Sequence, residues 1–344
     1  EVPYQQMCTW VYEGEAKDSR TLLPALKDYL GAASNNVKYA AGLPYSRSMD
    51  KAGFEQAIQA ASGSDVILFF GGEEAVLTGE GHSRGNIDLP GAQVELINEL
   101  AKLNKPIVLV ILSGRPNTLG SLVDKVDSMM MAWHPGTMAG PALVDVLYGE
   151  VSPSGKLPIT WPLASGQIPM YYNHKATGRP PNDDNYTRID KINPYLTWQH
   201  EPGNSSNYLD YGHSPQFPFG FGLSYSAFEY SDLSLNNSQV AMGDKVKLSI
   251  QIKNTGDVEA TEIVQLYVRD LVADVTRPVK ELKAFERVTL AADQKKTVDF
   301  ELSTNSLYFH NRDMVQVVEP GRFKLWIARD SADEAHETSF ELVE

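Results

Sequence analysis

The chain has 344 residues, a formal net charge of −14, 42% hydrophobic and 22% charged residues, and a single cysteine, Cys8. That length holds two domains with sizeable cores. The acidic balance disfavours nucleic acid and anionic membrane surfaces as partners, and one cysteine permits neither an internal disulfide nor a cysteine-based zinc site.

No apolar run approaches the ~20 residues that span a bilayer, and the opening at Glu1, with no initiator Met or signal-peptide pattern, reads as processing or cleavage. Residues 1–18 are mixed and give no element. Leu22, Leu23, Leu26 and Leu30 recur near helical spacing, with Pro24 in the first turn. Residues 37–41 read as a strand, and 51–61 as a helix with Phe54, Ala57, Ile58 and Ala61 on one face. The alternation continues with strand 65–70, helix 91–103 with Pro90 at its first position, strand 107–112, helix 119–125, strand 128–133 and helix 139–148. Such alternation predicts a parallel sheet with helices on both faces. A helix precedes the first strand, which leaves room for a strand upstream.

Residues 151–163 carry a Pro-Ser-Gly turn and a short strand that Pro158 and Pro162 exclude from a sheet centre. The long irregular stretch 164–222 holds Tyr171, Tyr172, Tyr186, Tyr195, Trp198, Tyr208 and Tyr211. So many aromatics predict a loop that packs on something. From Phe228 onward the pattern has period two, and about seven short strands with turns at Asn254-Thr-Gly256 and Pro320-Gly321 predict an immunoglobulin-like or fibronectin-like sandwich.

The chemistry is expected between strand 65–70 and the next helix. Glu73, Glu74, Glu80, His82 and Arg84 lie there among glycines, at the carboxyl end of a strand where open α/β sheets place ligands. Glu73 and Glu74 come early in the loop, where a carboxylate can be an acid but also caps or holds backbone. His82 and Arg84 can contact substrate, tune Glu80 or anchor the loop. Trp133 and His134 end a strand on the same edge, and Arg115 follows the strand between, placed to fix the loop by hydrogen bonds. Met129 to Met131 fill core, and Gly71-Gly72 with Gly79-x-Gly81 is not a dinucleotide fingerprint, since no Gly-x-Gly-x-x-Gly opens a helix. His134, His174, His200 and His213 lack metal-ligand spacing, so neither a metal nor a cofactor is expected. Asn185-Tyr-Thr and Asn204-Ser-Ser are glycosylation-type triplets.

Gly79-Glu-Gly-His-Ser-Arg-Gly-Asn-Ile-Asp-Leu-Pro90 resembles the acid/base loop of glycoside hydrolase family 3, the bacterial β-glucosidase type. In the same order follow Ser113-Gly-Arg-Pro116, Ala132-Trp-His-Pro-Gly136, Asp145-Val-Leu-Tyr-Gly149, Pro153-Ser-Gly-Lys-Leu-Pro158, Gln167-Ile-Pro169, Pro218-Phe-Gly-Phe-Gly-Leu-Ser-Tyr225, Asn254-Thr-Gly256 and Arg277-Pro-Val-Lys-Glu-Leu-Lys-Ala-Phe285. The resemblance implies an α/β sandwich with a mostly parallel sheet over 1–163, its first strand missing, then an aromatic-rich linker over 164–227 and a fibronectin type III-like β-sandwich over 228–344. It also implies an N-terminal (β/α)8-barrel portion as partner, which supplies the nucleophilic Asp. A barrel takes about 250 residues and has no room here.

On this reading Glu80 is the general acid/base of a retaining exo-acting β-glucosidase, and Glu73, His82 and Arg84 bind substrate or support the loop. Retention needs two carboxyl groups ~5–5.5 Å apart, and an acid that keeps its proton near neutral pH needs burial or a neighbouring negative charge. A periplasmic or secreted bacterial location, a β-linked glucoside substrate and a homodimer complete the expectation. The alternative is a non-catalytic carbohydrate-binding or scaffolding protein of the same two-domain architecture.

Overall fold

The computed structural model describes residues 2–11, 14–182, 186–195 and 206–344. Trp198, His200, Asn185 and Asn204 lie outside the described residues. The chain divides into two compact units, one of residues 1–151 with 162–168 and one of residues 152–161 with 169–344.

The first unit contains α1 (Pro3–Met7), α2 (Leu22–Leu30), α3 (Phe54–Ser62), β1 (Ile67–Gly72), α4 (Gln93–Ala101), β2 (Ile107–Leu112), β3 (Ser128–Met131) and α5 (Ala139–Leu147). Its sheet is parallel throughout, in the order β1-β2-β3. Alternating side chains of β1 feed two helix layers. Ile67 and Phe69 join Ala57, Ala61, Leu96 and Leu100 of α3 and α4, while Leu68 joins Ala25, Leu26 and Val144 of α2 and α5.

Four sequence expectations change. Residues 37–41 form no ladder: Val37 packs into one helix layer and Ala40 into the other, while Lys38, Tyr39 and Ala41 are exposed, so two apolar anchors hold a segment that joins no strand. Pro90 precedes α4 by a turn through Gly91, which has φ +64. The helix foreseen at 119–125 is a short 3-10 turn, Gly120–Asp124. β3 stops at Met131 because Trp133 takes φ +52.

The second unit is all-β: β4 (Phe228–Leu235), β5 (Gln239–Ala241), β6 (Lys245–Asn254), β7 (Ala260–Asp270), β8 (Glu281–Leu290), β9 (Lys295–Ser303), β10 (Phe309–His310), β11 (Gln316–Val317), β12 (Gly321–Ala328) and β13 (Glu337–Val343). A five-stranded sheet, β5-β13-β12-β7-β8, and a three-stranded sheet, β4-β6-β9, share a core with Ile250, Ile252, Leu266, Phe300, Leu325 and Phe340 buried. The period-two pattern was therefore a faithful guide to which side chains turn inward. Only part of the aromatic-rich stretch packs on the outer face of the larger sheet, where Tyr172 stacks on Phe219 at 4.2 Å and accepts a hydrogen bond from the Leu282 amide; Tyr171, Tyr195, Tyr208 and Tyr211 are exposed. Lys156 pins residues 152–161 to the same unit, 3.0 Å from the buried Glu262 carboxylate, which also accepts from the Tyr230 hydroxyl at 2.9 Å.

One carboxyl group in this unit titrates unusually. Asp270, 8% exposed at the end of β7, is pushed up to about 6 by burial and by Glu319 and Glu281, against the pull of the Val272 amide and of Arg277. The folded chain thus holds a proton that the unfolded chain has released, a contribution present at low pH and lost as pH rises through about 6. Asp270→Asn is expected to stabilise the protein at pH 7.5 by on the order of 1–3 kcal/mol and to have no such effect below about pH 4, as read from denaturant unfolding at the two pH values.

Candidate active site

The loop between β1 and α4 begins where β1 and β2 end together, with Gly72 opposite Leu112. Only glycine fits at 72: its φ is +125, and a Cβ would lie 1.9 Å from the Leu112 carbonyl oxygen. The Gln93 side chain closes the outer edge of β1 at this point. Its Oε1 accepts from the Gly72 amide at 2.8 Å and its Nε2 donates to the Gly72 carbonyl at 2.8 Å, as a neighbouring strand would. Nε2 also reaches the carbonyls of Pro90 and Ser46, so one buried amide fastens both ends of the loop.

Glu73 follows, its side chain wholly buried. Arg84 Nη1 and Asn117 Nδ2 donate to Oε1, the latter at 2.9 Å, and Arg115 Nε and Thr78 Oγ1 donate to Oε2 at 2.9 and 3.3 Å. Two guanidinium groups and two neutral donors fill the four acceptor positions of a carboxylate. The same residues bind the loop backbone: Arg115 Nη2 donates to the carbonyls of Leu77 and, at 2.9 Å, His82, and Asn117 Nδ2 to that of Ile87 at 3.1 Å. Glu74 is engaged separately, with Arg47 at 2.6 Å and the Ser46 hydroxyl at 2.8 Å. From the N-terminal segment, Gln5 accepts from the Ala75 amide at 2.6 Å and the Thr9 hydroxyl is bonded to the Ala75 and Thr78 carbonyls.

Glu80 stands apart. It lies at the second position of a turn closed by a hydrogen bond from the His82 amide to the Gly79 carbonyl, 3.1 Å, and Gly81 has φ +75, which the third position of a type II turn requires. Its side chain is exposed, and among the described residues nothing bonds to its carboxylate. His82 is exposed beside it. The Trp10 indole, 55% exposed, reaches the same loop, since a Cβ on Gly79 would lie 3.4 Å from both Trp10 Nε1 and His82 Nδ1.

The structure thus gathers Glu73 and Arg84 with Arg115 in one buried network and leaves Glu80 and His82 outside it, linked through backbone. Sequence reading missed Asn117, Gln93, Gln5 and Thr9. Asn117 directly follows the Ser113-to-Pro116 motif, and Gln93 is the first residue of α4; Gln5 and Thr9 fall in a segment with no periodicity to read. Among the described residues no three His, Cys, Asp or Glu side chains converge as metal ligands.

A model of the glycosyl hydrolase family 3 C-terminal domain matches residues 4–225, and one of a fibronectin type III-like domain matches residues 262–331. The periplasmic beta-glucosidase of Salmonella typhimurium is 36% identical over 98% of this chain and 44% of its own length. A beta-xylosidase of Formosa agariphila is 35% identical over 90% and 40%, respectively. A solved structure of beta-glucosidase from Listeria innocua in complex with isofagomine superposes with a TM-score of 0.87 at 33% identity, over 99% of this chain and 45% of that one. The chain therefore spans less than half the length of these relatives. With the family match running through the parallel sheet and the whole Glu73-to-Pro90 loop, the chain belongs to glycoside hydrolase family 3, as its C-terminal domain followed by a fibronectin type III-like domain.

Proposed function

We propose that this chain is the C-terminal part of a retaining, exo-acting β-glycosidase that removes terminal β-linked glucosyl residues, with Glu80 as general acid/base. The observation that carries the reading is the contrast within one loop. Glu73 and Glu74 are committed to arginines, whereas Glu80 sits unbonded at the tip of a glycine-flanked turn on a loop fastened from both ends. A carboxylate free of partners on an anchored backbone is what proton transfer to a bound substrate requires.

The nucleophilic Asp belongs to an N-terminal (β/α)8-barrel portion, and activity depends on that portion. In the first step the nucleophile attacks the anomeric carbon while Glu80 gives its proton to the leaving glycosidic oxygen. In the second, Glu80 takes a proton from the water that attacks the glycosyl-enzyme. Glu73, Arg84, Arg115 and Asn117 hold the loop, and His82 lines the approach to Glu80. The similarity to a periplasmic relative favours a periplasmic or secreted setting; no helix of the described residues is long and apolar enough to cross a membrane. Free glucosidase chemistry is favoured over a purely binding role because a binding module has no use for an unpaired carboxylate at the loop tip.

In the full-length enzyme, Glu80→Ala is expected to lower kcat about 10²- to 10⁴-fold on a disaccharide and much less on an aryl glycoside whose leaving group needs little protonation. Equal activity of variant and wild type on the disaccharide would remove Glu80 from the role. Glu73→Gln leaves two guanidinium groups sharing a neutral amide, and should cost about 3–5 kcal/mol in denaturant unfolding together with most of the activity on both substrates. Unchanged stability would show that the buried network does not hold the loop.

A further inference from the structure

Directly after β3, Trp133 adopts its left-handed conformation at φ +52, which a bulky residue seldom takes without a packing or functional reason. His134 follows. Both of its ring nitrogens are buried, and among the described residues neither has a hydrogen-bond partner; most buried polar side-chain atoms have one. The ring lies against Gly114, where a Cβ would fall 2.9 Å from Nε2 and 2.0 Å from Thr78 Cγ2. His134 is thus wedged beside Thr78, whose hydroxyl caps Glu73, and Gly114, which precedes Arg115.

The charges around it are already spent. Glu73, on the loop, is the ionised group whose field reaches the imidazole and favours its cation, and the Gln5 main chain, near the ring but outside hydrogen-bonding geometry, acts in the same sense. Arg84 and Arg115, the cations of the network, are taken up by Glu73, which has no acceptor position left for a further donor. Burial outweighs the favourable field and holds the imidazole below its ordinary range.

We propose that His134 is a proton-operated positioning residue for the acid/base loop. Neutral, it fills the space beneath the loop and leaves Glu73 to its four donors. Protonated, it places an unpartnered cation there and loosens the loop that carries Glu80. The unfolded chain takes up this proton first as pH falls through about 6.5, so the hold is complete above that pH and is lost in the acid direction. The functional consequence rests on the reading of Glu80 as acid/base; the loosening of the loop does not.

The test compares full-length wild type with His134→Leu and His134→Asn, two neutral replacements of different polarity. Amide exchange of residues 74–88, corrected for the intrinsic effect of pH, is measured at pH 7.5 and 5.0 alongside kcat/KM on a β-linked glucose disaccharide. Wild-type loop amides should exchange about tenfold faster at pH 5.0 than at 7.5, and this ratio should shrink to about threefold or less in at least one variant, with a matching flattening of the acid limb of kcat/KM. Wild-type protection that is independent of pH overturns the proposal, and so does the same acid loss in both variants. If the enzyme hydrolyses no β-glycoside while the His134-dependent loss of protection is present, the glycosidase reading fails and the latch stands. Normal hydrolysis with pH-independent protection has the opposite meaning.

Discussion

A buried carboxylate is tolerable only if every lone pair is used, and Glu73 meets that condition with two arginines, an asparagine and a threonine. Each of these donors has a reason to be where it is only because Glu73 is ionised at the end of β1. Arg115 and Asn117 in turn hold carbonyls of Leu77, His82 and Ile87. A single desolvated charge therefore holds the middle of a loop whose own backbone bonds are a 3-10 turn at Ala75–Leu77 and the turn closed between Gly79 and His82. Without it, the backbone from 73 to 88 would depend on the N-terminal contacts, on Gln93, on the Glu74–Arg47 pair and on the Ile87 and Asp88 contacts at its far end.

The second unit uses buried charge in a different way. Lys280, its side chain 6% exposed, directs its ammonium at the carbonyls of Ser331 and Asp333 and lies over the rings of Trp326 and Tyr267. Burial holds it below its ordinary range, while Glu334, Asp333 and Asp330 act to keep it charged. Here carbonyl dipoles and aromatic faces supplement the Glu334 carboxylate, 3.8 Å from the ammonium. The result ties the residue before β8 to the turn between β12 and β13.

Much of this was legible in the residues. The continuous apolar run 107–112 admits little but a buried strand, and β6 and β9 follow from alternation. Residues 37–41 show the limit of that logic, because apolar residues can anchor in both helix layers without their backbone finding a strand partner. In the site, the acids and arginines could be picked out singly, but their meeting could not. Glu73 and Arg115 are 42 residues apart; they converge because parallel pairing brings the carboxyl ends of β1 and β2 to one edge. Gln93 was hidden for a related reason, since a polar residue on a helix otherwise apolar on its inner face only makes sense once Gly72 is seen to lack a strand neighbour.

All five members of the Glu73 network fall between residues 73 and 117, a single strand-helix-strand segment. The loop's internal scaffold is thus locally encoded and can assemble as soon as β1 and β2 pair, in advance of the remaining sheet. Such a segment behaves as a cassette: Thr78, Arg84, Arg115 and Asn117 lie on the same stretch of chain as the carboxylate they hold, so the loop and its support travel together. Exchange of residues 73–117 between family members is therefore a more conservative operation than exchange of the exposed rim alone.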